Sequence, residues 1–291
     1  MFRLSKDGNS YGLLHHFGRP AGDGANPDTA VVQGADGALY GTTFFGGTND
    51  AGTVFKVNTN GGGYGLLRMF TTNGLDGQNP DAALMQASNG ALYGTTYSGG
   101  ASNAGTIFTL STNGGGYSIL HSFRSFAGDA QSPLGALFEG KDGLLYGMTY
   151  SGGSNGVGAI FKLAQAGTNY SVWRAFLSSG GDGQNPRGRL VLASDGAFYG
   201  TTWNGGQSGV GTAFQIYPPE TPEMLGAEET GNTAQVWFSG VSGYQYRVLR
   251  STNLVDWAGL GTVPMPVSGV CTNIDPAAPM AGAFYRAAWV P

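Results

Sequence analysis

The chain has 291 residues, 53 of them Gly, with only 11% charged residues and a formal net charge of −4; that length suits one repeat domain and a small second one, at roughly 100 to 200 residues per domain. No basic stripe could neutralise phosphates, which argues against nucleic acid as a partner. No apolar run approaches the ~18 residues that span a bilayer, so direct membrane insertion is not expected.

The chain opens with MFRLSKDGNS, which lacks the charged n-region, apolar core and cleavage site of a signal peptide and reads as a start in mid-repeat. From there a 53-residue period governs residues 1–217. Tyr40, Tyr93, Tyr146 and Tyr199 step by that interval, as do Phe2, Phe55, Phe108, Phe161 and Phe214. A fixed period of this length, built from short apolar segments and Gly-rich turns, marks a radial or stacked β-repeat.

Each unit contains four segments of strand character, rich in β-branched and aromatic residues. The first covers Ala30 to Val32, Ala83 to Met85 and Ala136 to Phe138. The second holds Leu-Tyr-Gly-Thr-Thr, as at Leu92 to Thr96, the third runs as at Gly105 to Leu110, and the fourth as at Tyr117 to Phe123. Asp36-Gly37, Asn89-Gly90, Asp142-Gly143 and Asp195-Gly196 join the first two as tight hairpins, because such residues tolerate positive φ. Thr112 to Gly116 joins the third and fourth, and a longer link such as Thr71 to Asp81 crosses to the next unit.

This order predicts an all-β chain with a four-bladed β-propeller, four strands per blade, followed by a small β-sandwich. Gly41, Gly94, Gly147 and Gly200 lie within strands, where close backbone approach near a crowded axis would explain them. The third segment occurs five times and the others four times. The favoured closure joins residues 188–217 to Tyr11 to Phe17, with Phe2 to Leu4 displaced as the surplus copy; a larger ring with further upstream units is the alternative.

Residues 218–222, Pro-Pro-Glu-Thr-Pro, read as a stiff linker. Residues 223–291 then alternate like strands at Ala234 to Phe238, Tyr244 to Ser251, Thr262 to Val267 and Ala283 to Val290. Trp237, Tyr246, Val248, Trp257, Leu260 and Tyr285 are the expected anchors of an immunoglobulin- or fibronectin-like sandwich. Cys271 is the single cysteine, which excludes an intrachain disulfide and a cysteine zinc site.

Tyr40 to Thr43, Gly46-Gly47, Gly52 to Lys56 and Asp76 to Pro80, with parallel copies in the other units, resemble the choice-of-anchor tandem-repeat proteins called the GloVer family. The resemblance covers residues 1–217. It implies a bacterial exported or surface-attached protein, hence an extracellular or cell-surface location, and implies no known reaction. Tyr246 to Val248, Ser251 to Leu254, Trp257, Leu260 to Thr262 and Phe284 to Arg286 look like a module found near the C-termini of large exported bacterial proteins, here with no apolar anchoring helix after it.

Two recurrent positions are candidate ligand contacts on one loop face, where a rigid scaffold usually carries binding. Asp23, Asp76, Asp129 and Asp182, followed by Asn26, Asn79, Ser132 and Asn185, could offer oxygens to calcium. The favoured alternative is that each Asp caps its own turn, because the spacing lacks the dense carboxylates of a calcium loop. Phe44, Tyr97, Tyr150 and Trp203 follow the Thr pair, either as rings that stack on sugars or as wedges between blades. His15, His16, His121, Arg124, Glu139, Arg187 and Arg189 break the symmetry without forming an acid/base or nucleophile pattern. Asp76 and Asp182 could in principle perform glycosidic chemistry across the ring.

The sequence therefore predicts a non-catalytic binding or scaffold protein whose partner is a polysaccharide or a surface protein. No metal or other cofactor is expected beyond the calcium alternative. A polysaccharide-active hydrolase or lyase and a purely structural spacer are the competing readings.

Overall fold

Short Gly-containing turns lay the strands of each 53-residue unit side by side in chain order. The computed structural model describes all residues except 19–21, 127, 194–196, 217–221, 223, 241–244, 280–281 and 291, and omits the side chains of 289 and 290. In the first unit Val32–Gln33, Leu39–Thr43, Thr53–Val57 and Gly65–Met69 form one antiparallel sheet in that order. The second unit repeats it with Met85–Gln86, Leu92–Thr96, Thr106–Leu110 and Ser118–Ser122. The third uses Phe138–Glu139, Leu144–Gly152, Ala159–Ala164 and Ser171–Ala175. In the fourth, Val191–Leu192 and Thr212–Ile216 flank Phe198–Gly205. Strand is the only regular secondary structure among the described residues, so the chain is all-β.

The expected Gly turns sit at positive φ, +80° at Gly37, +82° at Gly90 and +75° at Gly143; Asp195-Gly196 lies outside the described residues. The first strands are shorter than expected and begin two residues later. Leu84 turns its side chain onto the face of Gly94 instead of pairing, and Leu137 does the same at Gly147.

The strand glycines have a cause other than backbone crowding at an axis. Gly41 is paired across the sheet with Phe55, and Gly94 with Phe108. A Cβ at either glycine would come within 2.5 Å of the opposing Phe ring. Each glycine thus makes room for an aromatic ring of the next strand in its own sheet.

Burial on both faces explains the apolar content of the middle strands. One core joins Tyr40, Val54 and Phe70 of the first unit to Leu84, Leu92, Phe108 and Leu110 of the second. Another joins Tyr93, Ile107 and Phe123 to Leu137, Leu145, Phe161 and Leu163. The apolar cores therefore lie between the sheets of consecutive units, not within one unit.

The expected displacement of Phe2–Leu4 does not occur. That segment pairs with Tyr11–Leu13 as an antiparallel hairpin, so Tyr11–Leu13 forms a sheet with its own neighbour, separate from the sheet of Thr212–Ile216. Local pairing across a short turn closes a much smaller loop than pairing across some 200 residues, and loop-closure entropy favours it.

Contacts divide the chain into two units. The first comprises Met1–Glu139, Gly143–Leu190 and Gly200–Phe214, and the second Gly140–Asp142, Val191–Tyr199 and Gln215–Pro291. The linker at 218–222 lies almost wholly outside the described residues. Within the second unit, Met224–Thr230, Thr233–Ser239 and Val270–Asp275 form one three-stranded sheet, and Ala258–Pro264, Gln245–Ser251 and Phe284–Val290 form another. Val236, Phe238, Tyr246, Val248 and Met265 make their shared core, with Leu260, Cys271 and Tyr285 packed against it.

Trp237 is only half-buried, because strand alternation sends Val236 and Phe238 inward on either side of it. Trp257 lies outside that core, with the Arg286 guanidinium 4.0 Å from its ring centroid.

Candidate functional site

The Asp-Gly-x-Asn-Pro segment and the Gly-Gly loop of each unit are held together by backbone pairing. Gly24–Ala25 pairs with Phe45–Gly46, and Gly77–Gln78 with Ser98–Gly99. Ala130–Pro133 and Gly183–Pro186 pair with the extended second strands of their own units. The Asp76 carbonyl accepts from the Gly100 amide at 2.7 Å, and the Asp182 carbonyl from Gly206 at 2.8 Å. Gly99 can approach this closely only without a side chain, at φ +82° and against the Asp76 carbonyl.

Of the recurrent carboxylates, Asp23, Asp76 and Asp129 are buried, and each is hydrogen-bonded through both oxygens. Asp76 Oδ2 accepts from Arg68 Nη2 at 2.5 Å, the Thr71 amide at 2.9 Å and Thr71 Oγ1 at 3.2 Å, while Oδ1 accepts from the Gly77 amide at 3.0 Å and the Tyr117 hydroxyl at 2.5 Å. Arg68 lies on the last strand of the first unit and Tyr117 directly before the last strand of the second, so the carboxylate ties two consecutive sheets together. The Arg68 guanidinium also lies 3.8 Å from the Tyr117 ring centroid.

The same latch recurs with His in place of Arg. His15 stacks on Tyr64 at 3.5 Å, and both bond Asp23. His121 stacks on Tyr170 at 3.6 Å, with Tyr170 donating to Asp129 at 2.5 Å and His121 Nε2 standing 3.9 Å from that carboxylate. Burial pushes the Asp23 and Asp129 carboxyls up, but hydrogen bonds from the tyrosines and amides, with the neighbouring imidazoles, outweigh it and hold both below the usual range. Burial and the adjoining carboxylate together push the Tyr64 and Tyr170 hydroxyls far up.

In the fourth unit Asp182 keeps Arg174 at 2.8 Å and two backbone amides. The position 41 residues on, where the others have Tyr, is Glu223.

These contacts go beyond turn capping, since each of the first three aspartates binds a tyrosine hydroxyl 41 residues on in the chain. Among the described residues, no group of three or more His, Cys, Asp or Glu gathers around a common point.

The aromatic position is fixed through its backbone. The Asn79 side-chain amide donates to the Phe44 carbonyl at 3.1 Å, while the Asn79 carbonyl accepts from the Tyr97 amide at 2.9 Å. Asn185 likewise donates to the Tyr150 carbonyl at 2.9 Å. Asn26, Asn79, Ser132 and Asn185 all sit near φ +55°, a conformation Asn tolerates better than most residues.

With the backbone held, the rings differ. Phe44 and Tyr150 are half-buried, Tyr97 is exposed, and Trp203 is 59% exposed. Phe44 lies edge-on to Phe45 at 4.7 Å. Tyr150 and Trp203 converge on one cation. The Arg187 guanidinium lies 5.0 Å from the Tyr150 ring centroid and 4.4 Å from that of Trp203.

Arg187 directly follows Pro186, and the matching residues after Pro27, Pro80 and Pro133 are Asp28, Asp81 and Leu134. Asp81 is half-buried. Burial raises its carboxyl, the charge of Asp28 raises it further and the charge of Arg187 lowers it, so residues of three different units share one electrostatic neighbourhood. Sequence reasoning passed over Asp28 and Asp81 and named Arg187 only among the residues that break the symmetry of the repeat. The available signal was a variable residue directly after a constant Pro.

The Gloeobacter/Verrucomicrobia repeat model matches residues 1–214. The chain belongs to this repeat family. The match covers the repeats that carry the Asp, Asn and aromatic positions and stops before the C-terminal strands. Among curated proteins, none matches this family member.

Several solved structures are similar at low identity. Pseudomonas aeruginosa periplasmic gluconolactonase PpgL is 12% identical, with 100% of this chain and 94% of that one covered and a TM-score of 0.46. A putative 6-phosphogluconolactonase from Bacteroides uniformis is 13% identical, with 90% and 77% covered and a TM-score of 0.43. The extracellular domain of the putative one-component system BT4673 from B. thetaiotaomicron is 10% identical, with 74% of this chain but only 26% of that chain covered and a TM-score of 0.42. Likeness at this level assigns no activity to the repeat protein. No helix among its described residues is long and apolar enough to cross a membrane.

Proposed function

We propose that this protein is a non-catalytic, extracellular or cell-surface binding protein that takes a carbohydrate at the loop end carrying Phe44, Tyr97, Tyr150 and Trp203. The finer architecture belongs to the same proposal: the four repeats act as propeller blades, and residues 223–291 form an immunoglobulin- or fibronectin-like module. The observation that carries the reading is the convergence of Tyr150 and Trp203, from consecutive units, on Arg187. Rigid backbone clamps, large rings and a charged fork suit a polar ligand with apolar faces, and a pyranose is such a ligand.

A second reading, a polysaccharide hydrolase or lyase, draws on Asp28 and Asp81. Asp76 and Asp182 do not serve it, because their oxygens are committed to the hydrogen bonds of the latch. Burial and the charge of Asp28 both raise the half-buried Asp81 carboxyl, the direction a general acid requires.

A pull-down on insoluble and immobilised polysaccharides, with reducing-end and unsaturated-product assays on the same samples, tests both readings. Retention without products, lost in the folded Trp203→Ala variant, is expected. Products that disappear in Asp81→Asn would establish the enzyme instead. Absence of both would leave a protein-binding or spacer role.

A further inference from the structure

Arg187 is an unpaired cation in a chain with few charges. Among the described residues it makes no hydrogen bond and no ion pair within 4 Å, whereas Arg68, Arg174 and Arg250 each bind a carboxylate. Arg187 is exposed, yet its backbone and its ring neighbours hold it in place. Pro186 packs where a Cβ at Gly158 would come within 2.6 Å of the proline ring, and Asn185 is bonded to the Tyr150 carbonyl, so the backbone entering residue 187 is fixed from two sides. The Tyr150 and Trp203 rings then hold the guanidinium through its charge, which uses none of its five N–H donors.

Asp28 and Asp81 are near enough to act electrostatically, but neither closes on Arg187 as an ion pair. A planar, pre-positioned fork with open donors matches a planar carboxylate better than a hydroxyl, because two parallel charge-assisted bonds can form.

We propose that the ligand is an acidic glycan and that Arg187 receives a uronate carboxylate while the exposed face of Trp203 carries the sugar ring. This rests on the carbohydrate reading above and narrows it to one class of sugar. The three other units lack the feature, having Asp28, Asp81 and Leu134 at the equivalent position. The protein should therefore hold one acidic residue of the polymer at this point, not a run of four.

The test is binding of polygalacturonate and alginate compared with carboxyl-reduced forms of the same polymers and with neutral galactan. It uses the full chain and the variants Arg187→Gln, Arg187→Lys and Trp203→Ala, each checked by its thermal transition. The expected result is preference for the uronate polymers, with a loss of about tenfold or more in Arg187→Gln, the scale of a hydrogen bond to a charged group. Arg187→Lys should lose most of that affinity too, because it keeps the charge and lacks the fork.

Equal retention of acidic and reduced polymers, unchanged in Arg187→Gln but lost in Trp203→Ala, would overturn the uronate inference and leave the carbohydrate reading intact. Retention of no polymer at all would remove both.

Discussion

The carboxylate latch and the aromatic rim both recur once per unit, yet they are opposite in character. At the latch, Asp23, Asp76 and Asp129 keep the same chemistry, and each carboxylate takes a tyrosine hydroxyl 41 residues on and the amide of the following residue. At the rim, Phe44, Tyr97, Tyr150 and Trp203 share a clamped backbone but differ in size, exposure and neighbours. Recurrence alone therefore does not distinguish a structural position from a binding one. Saturation does: a group whose hydrogen-bonding capacity is spent inside the fold has none left for a ligand.

The strongest way to break this contrast is at the latch. Asp76 is buried to 4% side-chain exposure and accepts five hydrogen bonds, so Asp76→Ala strands Arg68, Tyr117 and two amides. A loss of about 3–5 kcal/mol is expected in chemical denaturation, the scale for removing one partner of a buried ion pair. Tyr117→Phe removes only the tyrosine bond and should cost about 1.5–3 kcal/mol. Asp182, with 18% side-chain exposure and an Arg174 partner that is 43% exposed, should cost only about 1 kcal/mol as Asp182→Ala. Equal losses for Asp76 and Asp182 would show that the tyrosine bond contributes nothing.

Acid should expose the same region. The Asp23 and Asp129 carboxyls are held below their usual value in the folded chain, so the unfolded chain binds protons first as the pH falls. Their stabilising contribution is then complete above the unfolded value of about 4 and is lost as the pH drops through the lower folded values. Denaturation midpoints followed downward from pH 6 should fall steeply below about pH 4. Asp129→Asn, weaker at neutral pH, should show a shallower fall, and an unchanged slope would count against the latch.

Much of this was legible in the sequence, and the gaps have physical reasons. Local turn chemistry and the 53-residue period give the meander of each unit directly, because both are set by nearby residues. The partner of Asp76 was not legible: Tyr117 lies 41 residues away and reaches it only once the strands between them have folded back on one another. The same holds for Arg187, whose role depends on two rings brought from different units. In the C-terminal sheets, Trp237 was expected among the anchors of the core, but alternation reserves the interior for Val236 and Phe238.

The smallest stability effects should come from the rim, where they sharpen the comparison most. Trp203 is 59% exposed and its backbone is held independently of its ring, so Trp203→Ala should move the unfolding free energy by no more than about 0.5 kcal/mol while abolishing retention of a bound glycan. Asp81→Asn should go the other way on binding. Removing a carboxylate whose charge acts on Arg187 leaves the guanidinium field less opposed, so retention of an acidic polymer should rise modestly and become less sensitive to pH. Were Asp81→Asn instead to weaken acidic and neutral polymers alike, Asp81 would be a direct acceptor for sugar hydroxyls. The rim would then recognise its ligand through a carboxylate that the fold, unlike at the latch, leaves unspent.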